Sequence, residues 1–373
     1  MSAFSQMGRA PVRRPGPRIP APARPLPRGT VLVAVGAFLV TVALLLPLYV
    51  HDRVALMPGE VTHHLRMNAP GAAYLDAATW TRREGVELTR TTRVEGTSHG
   101  AEWSAWEMTV DTTDADRVID HWSRRVIVDR ATGRAVNCCG EHVDGDRAVR
   151  QAGLVLQWPA GAPEGDHSFY DAEVRAAPAV TFDEDDEIGG LAVRRYVQEL
   201  PATQVPESSR DVPADLFGDE GGTVPATLWL AYERTFWVEP VTGRVVHMTE
   251  DRTETLRPQD GSEEVALLEA EFALAEGQVS ALAEQARVRA LVLRGLDAWV
   301  PWTLGPLGVV AILAGLFQAR RARSEEPPGA GATDASDAPA TAGARRPVPT
   351  DEHGGDGAVV NRAENGAGGD SEA

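Results

Sequence analysis

Lysine is absent from this 373-residue chain, and all 36 of its basic residues are arginine, which fits a GC-rich coding sequence rich in alanine, glycine and proline. Cysteine is almost absent. The two present, Cys138 and Cys139, are adjacent, which excludes a long-range disulfide framework and a CxxC redox or zinc motif. No Asn-X-Ser/Thr acceptor occurs. Before Gly29 there is no acid, only Arg9, Arg13, Arg14, Arg18, Arg24 and Arg28, whereas beyond Ser324 ten acids face three arginines. The stretch from His51 to Asp297 carries 44 acids against 24 arginines and should repel nucleic acid.

Charge is missing altogether from two long runs. Thr30 to Val50 is uncharged, and at about 1.5 Å per residue it reaches roughly 31 Å, the thickness of a bilayer's hydrocarbon core. A cleavable signal peptide has a shorter apolar core and a small-residue cleavage site, whereas PLYVHDRV follows here, so a retained anchor is expected. Ala298 to Phe317 is the second run, with Trp299 and Trp302 at the end that suits a headgroup layer. Pro301 and Pro306 would stop a soluble helix but are tolerated near a membrane edge. Arginine marks the cytoplasmic flank of a span. Six arginines precede the first run, and Arg320, Arg321 and Arg323 follow the second, so both termini are expected in the cytoplasm and residues 51–297 outside. Small residues at helical spacing, Thr30/Ala34/Ala37/Thr41 and Gly308/Ala311/Gly315, offer faces for close helix packing.

Between the runs apolar residues mostly alternate, as in Trp106/Met108/Val110, Leu154/Leu156/Trp158, Leu228/Leu230/Tyr232 and Ala270/Phe272/Leu274. That period, broken by Gly, Pro and Asp clusters, predicts short antiparallel strands. From Glu276 to Arg294 the spacing turns helical, predicting a juxtamembrane helix that feeds the second span. The fold class is therefore α+β: a mainly antiparallel β domain outside the membrane, flanked by transmembrane helices at 30–50 and 298–317. Pro201 to Pro225 reads as a long exposed loop, and the tails at 1–29 and 318–373 read as disordered cytoplasmic segments. One element recurs without a gap at an offset of 110: Val126–Val136 and Phe236–Val246, each a strand running into an acid-x-x-Thr-Gly turn and a second strand. It is either shared turn chemistry or the trace of a duplicated β-rich half.

The chemistry-bearing candidates are few. Gly96-Thr97-Ser98-His99-Gly100 matches GxSxG, but a nucleophile elbow needs a strand before the serine and a helix after it, and the flanks read as two strands. Asp183 to Glu187 lacks the ligand spacing of a calcium loop and reads as a solvated turn. Seven tryptophans of the outside domain either fill its core or meet lipid or glycan. Cys138 and Cys139 are the candidates for a vicinal disulfide, with cross-linking to another molecule as the alternative. Nothing points to an enzyme, a metal or a cofactor.

Four phrases, DRATGRAVNCCGE (Asp129–Glu141), GGLAVRRYVQELP (Gly189–Pro201), YERTFWVEPVTGRVV (Tyr232–Val246) and TETLRP (Thr253–Pro258), together with the two flanking spans, resemble the actinobacterial porin PorA family over about residues 30–317. The resemblance implies this two-span layout and, by the family's name, a porin or channel subunit. The residues themselves favour a non-enzymatic envelope protein whose partners are the lipid bilayer and an envelope lipid, a glycan or another membrane protein.

Overall fold

A computed structural model describes residues 29–259 and 263–324; the tails read as disordered fall outside these residues except at their inner ends. The first apolar run forms α1 (Thr30–Leu45), a π-turn over Leu46–Val50 and α2 (His51–Ala55). Pro47 lies in that turn and has no N–H to donate, which accounts for the local change in winding. Twelve strands follow: β1 (Thr62–Asp76), β2 (Thr81–His99), β3 (Trp103–Asp114), β4 (Arg117–Asp129), β5 (His142–Val143), β6 (His167–Ser168), β7 (Ala179–Ile188), β8 (Leu191–Gln204), β9 (Arg210–Pro213), β10 (Thr223–Glu239), β11 (Arg244–Pro258) and β12 (Val265–Leu274). The chain ends its described part in α3 (Glu276–Arg294), a π-turn over Gly295–Trp299 just before Pro301, and α4 (Val300–Ser324). Both Thr30–Ala55 and Glu276–Ala322 are long and apolar enough to cross a membrane.

All pairings between named strands are antiparallel, in the order β5-β4-β3-β2-β1-β12-β11-β10-β8-β7-β6, with β9 added to β10. First and last strands of the chain's β region meet at the centre, Met67 of β1 opposite Leu274 of β12. The sheet is rolled. Arg90 of β2 bonds Glu250 of β11 at 2.7 Å although β1 and β12 lie between them, a separation of roughly 14 Å in a flat sheet. Inward positions alternate with outward ones, which carry Arg66, Arg93, Glu107, Glu269 and Glu271.

Residues 130–178 cross the open side of the roll, bridging Val128 to Ala135, Arg134 to Leu154 and Leu154 to Phe169. Trp158 of this crossing segment is fully buried against Phe169, Tyr196 and Phe236. Leu154, Leu156 and Trp158 alternate like a strand, yet they form no named strand: single bonds to neighbouring loops and turns hold them, as in Trp158 N–H to the Gly243 carbonyl. The two recurrent turns have the same internal bonding. Asp129 accepts from the N–H and hydroxyl of Thr132, and Glu239 does so from Thr242. Gly133 and Gly243 take φ of 71° and 70°, and a Cβ on them would strike the Gln157 and the Trp158 carbonyls respectively, so glycine lets the crossing segment sit on both turns.

The helices are tied to the sheet at its central strands. Gln278 of α3 accepts from Arg66 N–H and donates to the His64 carbonyl, and Arg289 donates to the Val54 and Leu56 carbonyls at the end of α2. α1 and α4 meet through glycine. A Cβ on Gly36 would fall 2.5 Å from the Gly308 carbonyl, and one on Gly315 would fall 2.7 Å from that of Gly29. Gly308 and Gly315 thus pack as expected, but Thr30, Ala34, Ala37 and Thr41 are exposed; the face on α1 is Gly36 and Ala43, preceded by Gly29.

Three other expectations are corrected. Asp183 to Glu187 lies in strand β7, paired with β8, and the turn comes after it at Gly189-Gly190. Pro201–Pro225 contains the end of β8, all of β9, a 3-10 turn at Ala214–Phe217 and the start of β10 rather than one loop. α4 continues to Ser324, so 318–324 is helix and not tail.

Candidate functional site

The interior of the roll carries charge. Along β11, Met248, Glu250, Arg252, Glu254 and Leu256 share the inward face by the strand's period of two. Glu250 is 3% exposed and accepts from three arginines, Arg90 at 2.7 Å, Arg234 at 2.6 Å and Arg252 at 3.3 Å. Arg252 also reaches Glu254 at 2.6 Å and Glu173 of the crossing segment at 3.0 Å, and Arg234 reaches Asp171 at 3.4 Å. Buried ion pairs are costly unless each member is compensated, and this lattice binds β2, β10, β11 and the crossing segment into one unit.

The electrostatics follow from the partners. Burial opposes ionisation of Glu250, yet Arg234, Arg90 and Arg252 together hold its carboxyl far below the usual range. Glu173 is pushed the other way, up to about 7: burial dominates, and Arg252, divided among three carboxylates, offsets it only in part. Asp120, 3.8 Å from Arg90, is also raised by burial.

Bordering the lattice lies a half-open cavity of about 120 Å³. Its apolar walls come from β1 (Leu65, Met67), β3 (Met108, Val110), the crossing segment (Val155, Phe169), β11 (Met248) and α3 (Leu282); Trp122, Arg124 and Tyr170 line it too, and the lattice members Arg90, Asp171, Glu173, Arg234 and Glu250 form its charged side. Arg124 is 3% exposed and is driven down to about 10 by burial. Among the described residues it has no ion-pair partner; its Nη2 donates to the Val155 carbonyl at 3.3 Å, its Nε meets Met108 Sδ at 3.2 Å, and its Nη1 has no acceptor. Tyr170, 2% exposed with its hydroxyl unmatched, is raised to about 12 by burial.

The residues singled out from sequence do not gather here. Ser98 sits exposed in β2 opposite Ala105 of β3, in a hairpin with no helix after it. The acids of β7 are held by neighbours, Asp183 and Glu184 by Arg195, Asp185 by Arg194, and Asp186 by Trp237 Nε1. Cys138 and Cys139 lie after the first recurrent turn with their sulfurs adjacent, and Cys139 takes φ of 67°. Of the tryptophans, Trp106 and Trp158 are core, Trp103 is exposed, and Trp122 lines the cavity. Sequence reasoning missed Arg90, Arg124, Asp171, Glu173, Arg234, Glu250 and Arg252. The available signal was charge at alternate positions between apolar residues of one strand, as in β11.

The family model described as Porin PorA matches residues 28–317. The chain belongs to the Porin PorA family. A curated relative named "Porin PorA" from Corynebacterium resistens is 22% identical, over 57% of this chain and 67% of the relative. With the two apolar helices, this makes the chain a membrane protein of that family.

Proposed function

We propose that this porin PorA family member is a non-enzymatic binding protein of the cell envelope, and that its rolled β domain, held at the outer face of the membrane by both ends, takes an apolar molecule into the cavity beneath α3. The observation that carries the reading is the cavity itself, half-open, mostly apolar, walled by the sheet and the crossing segment, and reached by a helix that continues into a candidate span. Such a pocket with a few placed polar groups is the usual form of a small-molecule site. The arginine flanks support cytoplasmic termini with residues 51–297 outside. We also propose that Cys138 and Cys139 form a vicinal disulfide; resistance of both to alkylation until reduction is the expected result, and labelling of unreduced protein would refute it.

A channel is the second reading, supported by the family and by the name of its corynebacterial relative. Against the sheet itself acting as the pore, its outward positions carry Arg66, Arg93, Glu107, Glu269 and Glu271, where a lipid-facing barrel needs apolar side chains, and the ion lattice crosses its interior. Planar-bilayer recording on the purified full chain separates the two. The binding reading expects no discrete conductance steps, and reproducible steps would favour the channel.

A further inference from the structure

We infer that the cavity takes the carboxylate of a short aliphatic chain, recognised by Arg124, Tyr170 and Trp122. This rests on the reading of the domain as a binding module and names its ligand chemistry. Three buried donors, Arg124 Nη1, the Tyr170 hydroxyl and Trp122 Nε1, have no acceptor among the described residues, and all three residues line the same cavity. An unmatched buried donor costs about 1–3 kcal/mol. An acceptor that enters this cavity and reaches them would satisfy all three.

Arg124 supplies the sign of that ligand. Its Cζ lies 5.9 Å from the Trp122 ring and 5.7 Å from the Tyr170 ring, so both aromatics flank the cation. The acid whose charge reaches it, Asp171, is engaged by Arg234 at 3.4 Å and by the Glu173 and Val174 N–H groups at 2.9 and 3.2 Å. A buried guanidinium without a counter-charge is unfavourable, and one monoanion neutralises it. The rest of the nearby wall, Met108, Val155, Leu156 and Phe169, is apolar and suits methylene groups. About 120 Å³ accommodates roughly four water-sized groups, enough for a carboxylate and its first few carbons but tight for a substituted phosphate.

The test is calorimetric titration of the full chain in lipid nanodiscs with sodium hexanoate and with hexan-1-ol, against empty nanodiscs. Hexanoate should bind saturably and hexan-1-ol at least tenfold more weakly, about the worth of a charge-assisted hydrogen bond. Arg124→Met should weaken hexanoate about 10- to 100-fold without affecting hexan-1-ol. Its ligand-free melting temperature should be at or above wild type, because an uncompensated buried charge has gone. Tyr170→Phe keeps the ring, removes only the hydroxyl, and should weaken hexanoate about three- to tenfold, which keeps the test decisive should Arg124→Met not fold. Equal binding of hexanoate and hexan-1-ol, or hexanoate binding undiminished in these variants, overturns the carboxylate site and leaves the binding module standing. Binding of neither overturns both.

Discussion

Glu250 is the residue on which the interior turns. Replacing it with glutamine leaves Arg90, Arg234 and Arg252 buried without their shared counter-charge, and a loss of about 3–5 kcal/mol in unfolding free energy is expected from denaturant titration. Glu254→Gln should cost much less, because Arg252 keeps Glu250 and Glu173. Glu173 adds a pH dependence. Its pKa in the folded protein, about 7, lies above the ordinary 4.5, so the folded state holds the proton more tightly. The stability that this contributes is complete below pH 4.5 and is lost as pH rises through 7. Melting temperatures should therefore fall more steeply, or rise less, from pH 5 to pH 8 in wild type than in Glu173→Gln, because His63 and His247, both lowered by burial, act in the opposite direction in each protein. These charges were in view in the sequence, but an alternating pattern assigns its polar members to solvent by default. Their shared parity with Met248 and Leu256 was the one local clue to an inward face, and only the rolling of the sheet, which brings β2 to β11, supplies their partners.

At the scale of elements, α3 was legible to the residue, Glu276–Arg294, because its helical period follows directly on the strand period of β12. The alternation within β3, β10 and β12 was legible too, although β3 and β10, at 12 and 17 residues, are longer than the short strands expected. The crossing segment was not: Leu154, Leu156 and Trp158 alternate, but their partners are turns more than 80 residues away in one case, Trp158 with Gly243, which no local pattern encodes. Helix pairing was half legible. Alanine and threonine are common on α1 for compositional reasons, and the contact is made instead where glycine permits backbone to meet backbone, at Gly36 against Gly308. Gly36→Leu should part the helices. In a cysteine-free background, an Ala43→Cys, Gly305→Cys pair, whose sites lie 4.0 Å apart from Cβ to built Cβ, should cross-link efficiently, and adding Gly36→Leu should abolish the cross-link. Equal yields would show that the glycine contact does not set the pairing.

For the whole molecule, the layout at the membrane follows from arginine bias and is independent of the cavity. Protease added to intact spheroplasts should cut the exposed loop around Glu207 and spare the C-terminal tail, and the reverse pattern would invert the topology. The fold gives the cavity its meaning. A sheet whose chain ends enter and leave at its two central strands places its concave face against a helix continuous with a candidate span. The most direct measurement is native mass spectrometry of the full chain released from detergent, wild type beside Met248→Trp, which fills the cavity from β11. Wild type should carry a bound small molecule that dissociates on activation, and Met248→Trp should appear at its bare mass. A wild-type chain that flies bare, or a variant that keeps the same adduct, would contradict the proposed role of the cavity.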